Sequence, residues 1–255
     1  MSAPGKTLRW SRFTDPVSGQ ALVVPIDHGL TIGPVEGLGS TREIGRWIGC
    51  PAVNGVVAHK GMVSRLAEAG LLVGRGVMLH LNGSTTIGER PDTKHMVTGV
   101  ETALRLGADA VSVQVNFAPD NHAHNIALLG RVVDEAERYA LPVLAMVYPA
   151  TPAEDEAAAL RLHRHYLRIA YELGVEAVKT APPQHLEDVA ALVDGIGEEV
   201  AVLFSGGSLQ TDDYLTSLAK QVATSTARGL CVGRNVFQRP EPHVILAQLR
   251  QILDS

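Results

Sequence analysis

Cysteine is almost missing from this chain. Cys50 and Cys231 are the only two in 255 residues, and they fall in segments expected on different elements, so neither a disulfide framework nor a thiolate metal site has a basis. Both read as buried thiols. No apolar run approaches the roughly 18 to 20 residues that span a bilayer, and the stretch from Met1 to Lys6 lacks the apolar core of a secretion signal. A cytoplasmic protein, away from the membrane, is therefore expected. An excess of positive charge is lacking too: the formal net charge is -5, which excludes a general nucleic-acid binder and leaves room only for a local anion site. No low-complexity tract or linker divides the chain. With 45% hydrophobic residues, residues 1–255 suit one large α/β domain.

What is present is an alternation. Short β-branched runs occur at Ala21 to Ile26, Val53 to Ala58, Gly76 to Leu81, Asp109 to Val115, Leu141 to Val147, Glu176 to Val178, Val200 to Phe204 and Gly229 to Val232. Between them lie amphipathic segments, among them Lys94 to Leu106, Ala123 to Tyr139, Pro152 to Leu173, His185 to Val193 and Thr211 to Ala227, which predict helices. The junction Leu106-Gly107-Ala108-Asp109-Ala110-Val111 is echoed by Leu173-Gly174-Val175-Glu176-Ala177-Val178, a glycine stop followed by a strand start. Eight such units favour an α/β fold of the closed (β/α)₈ TIM-barrel kind; a doubly wound open sheet is the alternative.

In a barrel the C-terminal ends of the strands meet at one mouth, so the residues closing each run are the candidates for chemistry. They are Asp27-His28-Gly29, His59-Lys60-Gly61, Asn82-Gly83-Ser84, Asn116, Tyr148, Lys179, Ser205-Gly206-Gly207 and Gly233-Arg234-Asn235. Lys179 stands at the tip of an apolar strand, where partial burial is expected to pull its amine toward the neutral form that attacks carbonyls. Position alone leaves open that it snorkels out of the mouth or pairs with a carboxylate. Tyr148 ends the neighbouring run, within reach of an atom held by Lys179, unless it is merely packed at the rim. Asp27 faces the same mouth as a proton shuttle or a partner of Lys60 or Lys179.

Ser205, Gly206, Gly207, Gly233 and Arg234 close the last two strands. There, glycine amides, a following helix start and a guanidinium suit a phosphate. His28 and Lys60 are counted with these substrate-binding residues. His28, His59 and His80 also invite a metal centre, but no His-x-His pair opens the first strand and His80 precedes the end of its run, so no metal is expected. The pairs His122/His124 and His163/His165 read as surface residues of helices.

The chain resembles the archaeal-type class I aldolases, the family that includes archaeal fructose-bisphosphate aldolase, the amino-dideoxy-heptulosonate synthases and an autoinducer-processing thiolase relative. The resemblance runs from about Val23 to Glu241. It rests on Val24-Pro25-Ile26-Asp27-His28-Gly29 with Gly33-Pro34-Val35-Glu36-Gly37, His59-Lys60-Gly61, His80-Leu81-Asn82-Gly83-Ser84-Thr85 and Gly107-Ala108-Asp109-Ala110-Val111-Ser112-Val113. It continues in Ala145-Met146-Val147-Tyr148-Pro149, Val178-Lys179-Thr180 and Gly233-Arg234-Asn235-Val236-Phe237-Gln238.

The resemblance implies a Schiff base on Lys179, acid/base partners in Tyr148 and Asp27, and a phosphorylated small-molecule substrate held by Ser205, Gly206, Gly207, Gly233 and Arg234. It further implies no cofactor and assembly into a homo-oligomer. Two stretches depart from the family: Tyr148-Pro149-Ala150-Thr151 where relatives often read Tyr-Pro-Arg-Gly, and Thr180-Ala181-Pro182-Pro183 where many read Thr-x-Thr-Gly-Asp. Both belong to loops over the active face, where the second substrate is chosen.

Overall fold

The structure is a computed structural model that describes residues 4–255. Eight parallel strands close into a barrel: β1 (Ala21–Pro25), β2 (Gly55–Ala58), β3 (Gly76–His80), β4 (Ala110–Phe117), β5 (Val143–Pro149), β6 (Ala177–Thr180), β7 (Ala201–Ser205) and β8 (Gly229–Cys231). Each lies beside its neighbour in sequence, and β8 pairs with β1 to complete the ring. The open-sheet alternative is thereby excluded.

The helices are α1 (Pro4–Trp10), α2 (His28–Ile32), α3 (Thr41–Ile48), α4 (Lys60–Glu68), α5 (Val100–Arg105), α6 (His122–Glu137), α7 (Glu156–Glu172), α8 (Val189–Val193), α9 (Asp212–Ala223), α10 (Arg234–Phe237) and α11 (Pro242–Leu253). Serine, aspartate and threonine side chains cap three of them: Ser40 accepts from the Glu43 amide, Asp155 from Ala158 and Thr211 from Tyr214. The helix expected from Lys94 to Leu106 is shorter. Its first part instead forms a two-stranded antiparallel ribbon, with Asn82 opposite Met96 and Gly83 opposite His95. Pairing with a distant segment wins there over local helix propensity.

Side chains alternate across each strand, and the barrel separates two cores. The outward faces pack against the helices in one large cluster that includes Leu22, Val56, Leu79, Val113, Val178 and Val202. The inward faces form a second cluster: Ala21, Val23, Val57, Met78, Ala110, Leu144, Met146, Ala177, Leu203 and Cys231. Phe13, fully buried, closes its floor. Glycine is required beneath it, because a Cβ at Gly55 or Gly76 would lie 2.6 or 2.7 Å from the Phe13 ring.

The repeated junctions share a device at this floor. Asp109 and Glu176 each stand just before a strand and accept the backbone N–H of the preceding one, from Val77 at 3.0 Å and Val143 at 2.9 Å. Asn54, before β2, does the same for Leu22 at 2.8 Å. Each of the three is met by a cation from a chain end: Asn54 by Arg250 at 3.1 Å, Asp109 by Arg12, and Glu176 by Lys6 at 2.6 Å.

Candidate active site

The inward parity of β6 places Lys179 above Ala177 in the barrel, opposite Met146 on β5 and Leu203 on β7. Its side chain is 6% exposed, and its Nζ lies 3.9 Å from the Met146 Sδ. It does not snorkel outward. A cavity of about 230 Å³ opens over it, lined by Asp27, His28, Thr31, Ile32, Gln114, Met146, Tyr148, Lys179 and Arg234. Strands β4, β5 and β6, Asp27 and α2 after β1, and Arg234 at the start of α10 thus contribute to one bowl.

The carboxylate of Asp27 is flanked by two imidazoles, with its oxygens 3.7 Å from His28 Nδ1 and 3.7 Å from His80 Nε2. Burial opposes its charge, but His80, Lys179, His28 and His59 outweigh burial and hold its carboxyl below the usual aspartate range. The imidazoles move the other way. Burial pulls His28 down to about 4 and His80 to about 3, and lowers His59 as well. At neutral pH Asp27 is therefore an anion among neutral rings, and Lys179, which lines the same cavity, is a cation whose charge favours it.

The charges around it correct the expectation that burial brings Lys179 toward neutrality. Burial does work against the ammonium, but Cys231, Tyr148 and Asp27 work for it, and its pKa ends above the ordinary lysine value. The thiol and the phenol help only once ionised. Burial pushes Cys231 up to about 11 and also raises Tyr148, so near neutrality the stabilising anion is Asp27. The resting site holds an ammonium, and attack on a carbonyl requires that its proton first be given up.

Tyr148, half-buried, sits beside both Lys179 and Ser205. Ser205 is buried at the end of β7, and Gly206 follows it so closely packed that an added Cβ would lie 2.5 Å from the Asn235 amide nitrogen. Asn235 ties the last two loops together. Its Nδ2 donates to the carbonyls of Gly206 and Ser208, both at 3.0 Å, and its Oδ1 accepts from the Gln210 amide at 2.7 Å. Gly233 meets His28 and the Pro25 carbonyl so tightly that a Cβ would come within 2.8 Å of each. Arg234 lines the bowl with its buried Nε unpartnered among the described residues. Gly207 lies exposed at the rim with φ +65°, a conformation that favours glycine.

Most of the expected residues are brought together; Lys60 is not. It is exposed on α4, and its Nζ donates to the Val97 carbonyl at 3.3 Å. Strand parity explains this, since Val57 points inward and so does His59, leaving Lys60 to face away. His59 and His80 come together with ring centroids 5.1 Å apart, yet no group of three or more His, Cys, Asp or Glu side chains among the described residues is arranged to hold a metal ion.

Sequence reasoning missed Gln114 and Met146, whose inward parity with Ser112 and Leu144 was the available signal. It also missed Lys94, 3% exposed, whose ammonium burial lowers against the opposing pull of Asp92 and Asp27. His163 was expected on the surface; it is buried, and its Nε2 lies 2.5 Å from Thr180 Oγ1.

Comparison with known proteins agrees with this geometry. The profile of the DeoC/LacD family aldolases matches residues 21–239. A 2-amino-4,5-dihydroxy-6-oxo-7-(phosphonooxy)heptanoate synthase of Streptomyces griseus is 31% identical over 98% of this chain and 90% of its own length. A 2-amino-3,7-dideoxy-D-threo-hept-6-ulosonate synthase of Halobacterium salinarum is 32% identical, covering 99% of this chain and 93% of that one. Among solved structures, an archaeal fructose-1,6-bisphosphate aldolase whose catalytic lysine is covalently bound to the carbinolamine intermediate superposes with a TM-score of 0.86 at 25% identity, over 98% of this chain and all of that one. With the matched profile spanning the whole barrel, the chain belongs to the DeoC/LacD aldolase family.

Proposed function

We propose that this protein is a class I aldolase in which Lys179 forms a Schiff base with a phosphorylated ketone, dihydroxyacetone phosphate, and the derived enamine adds to an aldehyde. The observation that carries this reading is the single bowl in which Lys179, Tyr148, Asp27 and Arg234 all present their side chains.

The ammonium of Lys179 first gives up its proton, for which Asp27 is the anion lining the same bowl, and the free amine attacks the ketone carbon. Tyr148, kept un-ionised by its raised pKa, donates a proton to the departing carbinolamine hydroxyl, which leaves as water. The resulting iminium draws electrons from the adjacent carbon, whose proton is removed to give the enamine. Tyr148 is placed to handle that proton too, while Asp27 serves the acceptor oxygen, giving it a proton in condensation and taking one in cleavage. Arg234, with Ser205 and the amides of Gly206, Gly207 and Gly233, would anchor the phosphate and so orient the reacting carbon. His28 closes the bowl beside Gly233. No step in this scheme calls for a metal or organic cofactor.

The relatives' names suggest the acceptor. A heptanoate with a 6-oxo, a 7-phosphonooxy and 4,5-dihydroxy groups divides between C4 and C5 into dihydroxyacetone phosphate and a four-carbon amino-acid aldehyde. An acceptor of that class is proposed here, with glyceraldehyde 3-phosphate as the competing one.

Incubation with dihydroxyacetone phosphate, borohydride reduction and peptide mass spectrometry should place the adduct on Lys179. A turning-over enzyme with no adduct there would overturn the mechanism. The same donor offered with aspartate semialdehyde or glyceraldehyde 3-phosphate, with products read by mass, identifies the acceptor.

A further inference from the structure

A second cavity, about 260 Å³, lies outside the barrel between the start of α7 and the loops that follow β5 and β6. These are the two loops in which the sequence departs from the family. The walls are largely apolar: Pro149, Ala153, Leu160, Leu162, Ala181 and Pro182. At this size it suits a single ring, being below the roughly 300 to 1,000 Å³ of sites for drug-sized ligands.

The polar groups around it are mostly spent on one another. Glu156 accepts from Gln184 Nε2 at 2.6 Å and pairs with His185 Nε2 at 3.1 Å. Thr151 Oγ1 donates to the Phe117 carbonyl at 3.0 Å. His163 is different. Thr180 Oγ1 donates its hydrogen to the Val147 carbonyl at 2.8 Å, so at its 2.5 Å contact with His163 Nε2 it must accept. That fixes the tautomer with the hydrogen on Nε2 and leaves Nδ1 as a lone pair. Nδ1 has no partner among the described residues, and His163 lines the cavity.

We infer that this cavity binds a small apolar ring carrying one O–H or N–H donor, of the phenol or indole class, with the donor directed at His163 Nδ1. An anion is disfavoured there: the rim carries Glu156 and Asp188, and the imidazole, pulled down to about 4 by burial, stays neutral at physiological pH. The phosphorylated substrates of the bowl are thus unsuited to it. The site is distinct from the bowl, and its ligand need not affect borohydride trapping at Lys179.

Calorimetric titration of the whole protein with phenol, indole and anisole tests this. Phenol and indole should bind, and anisole, whose donor is methylated, should bind at least tenfold more weakly. His163→Phe should remove the difference between phenol and anisole, and Leu160→Trp, which fills the cavity, should abolish binding of both. The imidazole nitrogen shifts of His163 give a check that needs no substitution: Nδ1 should report as the unprotonated nitrogen and move when phenol is added. Failure of phenol to bind, equal binding of phenol and anisole to the unaltered protein, binding that survives Leu160→Trp, or displacement of phenol by dihydroxyacetone phosphate would each overturn the proposal.

Discussion

At the scale of single residues, the site turns on one proton. Because the Lys179 ammonium is favoured in the resting state, the share of free amine grows about tenfold per pH unit below its pKa, and kcat/KM should climb with pH from neutrality into the alkaline range rather than level off near 7. The substitution Asp27→Asn removes the anion that sustains the ammonium. In that variant the Lys179 amine should titrate at lower pH, and the rate profile should shift toward acid while its plateau falls, because acceptor protonation loses its carboxylate. A profile that keeps its position in the variant would show that Asp27 does not set the lysine's state. Tyr148→Phe should cost about 10² to 10⁴ in kcat, while a Lys179→Ala variant should give no borohydride adduct. What the sequence revealed at this scale was chemistry rather than direction. Lys179, Tyr148, Asp27 and Arg234 could be named because polar residues closed apolar runs, whereas Lys60 went astray through a one-residue error in which face it joined. His163 went unseen because it meets Thr180 at the end of β6, a contact with another element that no helical periodicity encodes.

At the scale of elements, all eight strands were legible as short apolar runs alternating with helical stretches. Their ends were less so. The helix expected from Lys94 starts instead at Val100 because Asn82–Gly83 offers a partner strand, a non-local contact that no window of sequence contains. The echo at Asp109 and Glu176 was visible as letters, but its meaning, a side chain that substitutes for a missing strand partner, emerges only with the neighbouring strand in place. Asp109→Ala would leave the Val77 N–H buried without an acceptor and strip Arg12 of its counter-charge. The expected loss is about 1 to 3 kcal/mol, or about 2 to 4 °C in melting temperature per kcal/mol for a chain of this size. Calorimetric melting checks it, and a change under about half a degree would show the junction to be dispensable. Gly55→Ala should also destabilise, because its methyl group meets the Gly76 carbonyl as well as the Phe13 ring.

For the whole molecule, the buried histidines couple folding to acidity. His28 and His163 titrate near 4 and His80 near 3 in the folded chain, below the value of about 6.5 expected when unfolded. Between these limits the unfolded chain binds more protons, so stability rises with pH there and is lost as pH falls below about 6.5. Asp27, with its carboxyl depressed, adds a loss in the same direction at lower pH. Each histidine contributes up to about 1.4 kcal/mol per pH unit, and urea midpoints measured from pH 7 to 4 should fall steadily, less steeply in a His163→Asn variant. The floor carries a different consequence, one of order in time. Glu176 lies 170 positions from Lys6, and Asp109 lies 97 from Arg12, so a chain made in sequence keeps both early cations waiting, solvated, until its later halves arrive. A fragment ending before residue 109 could satisfy neither, and the ring would have no base on which to shut.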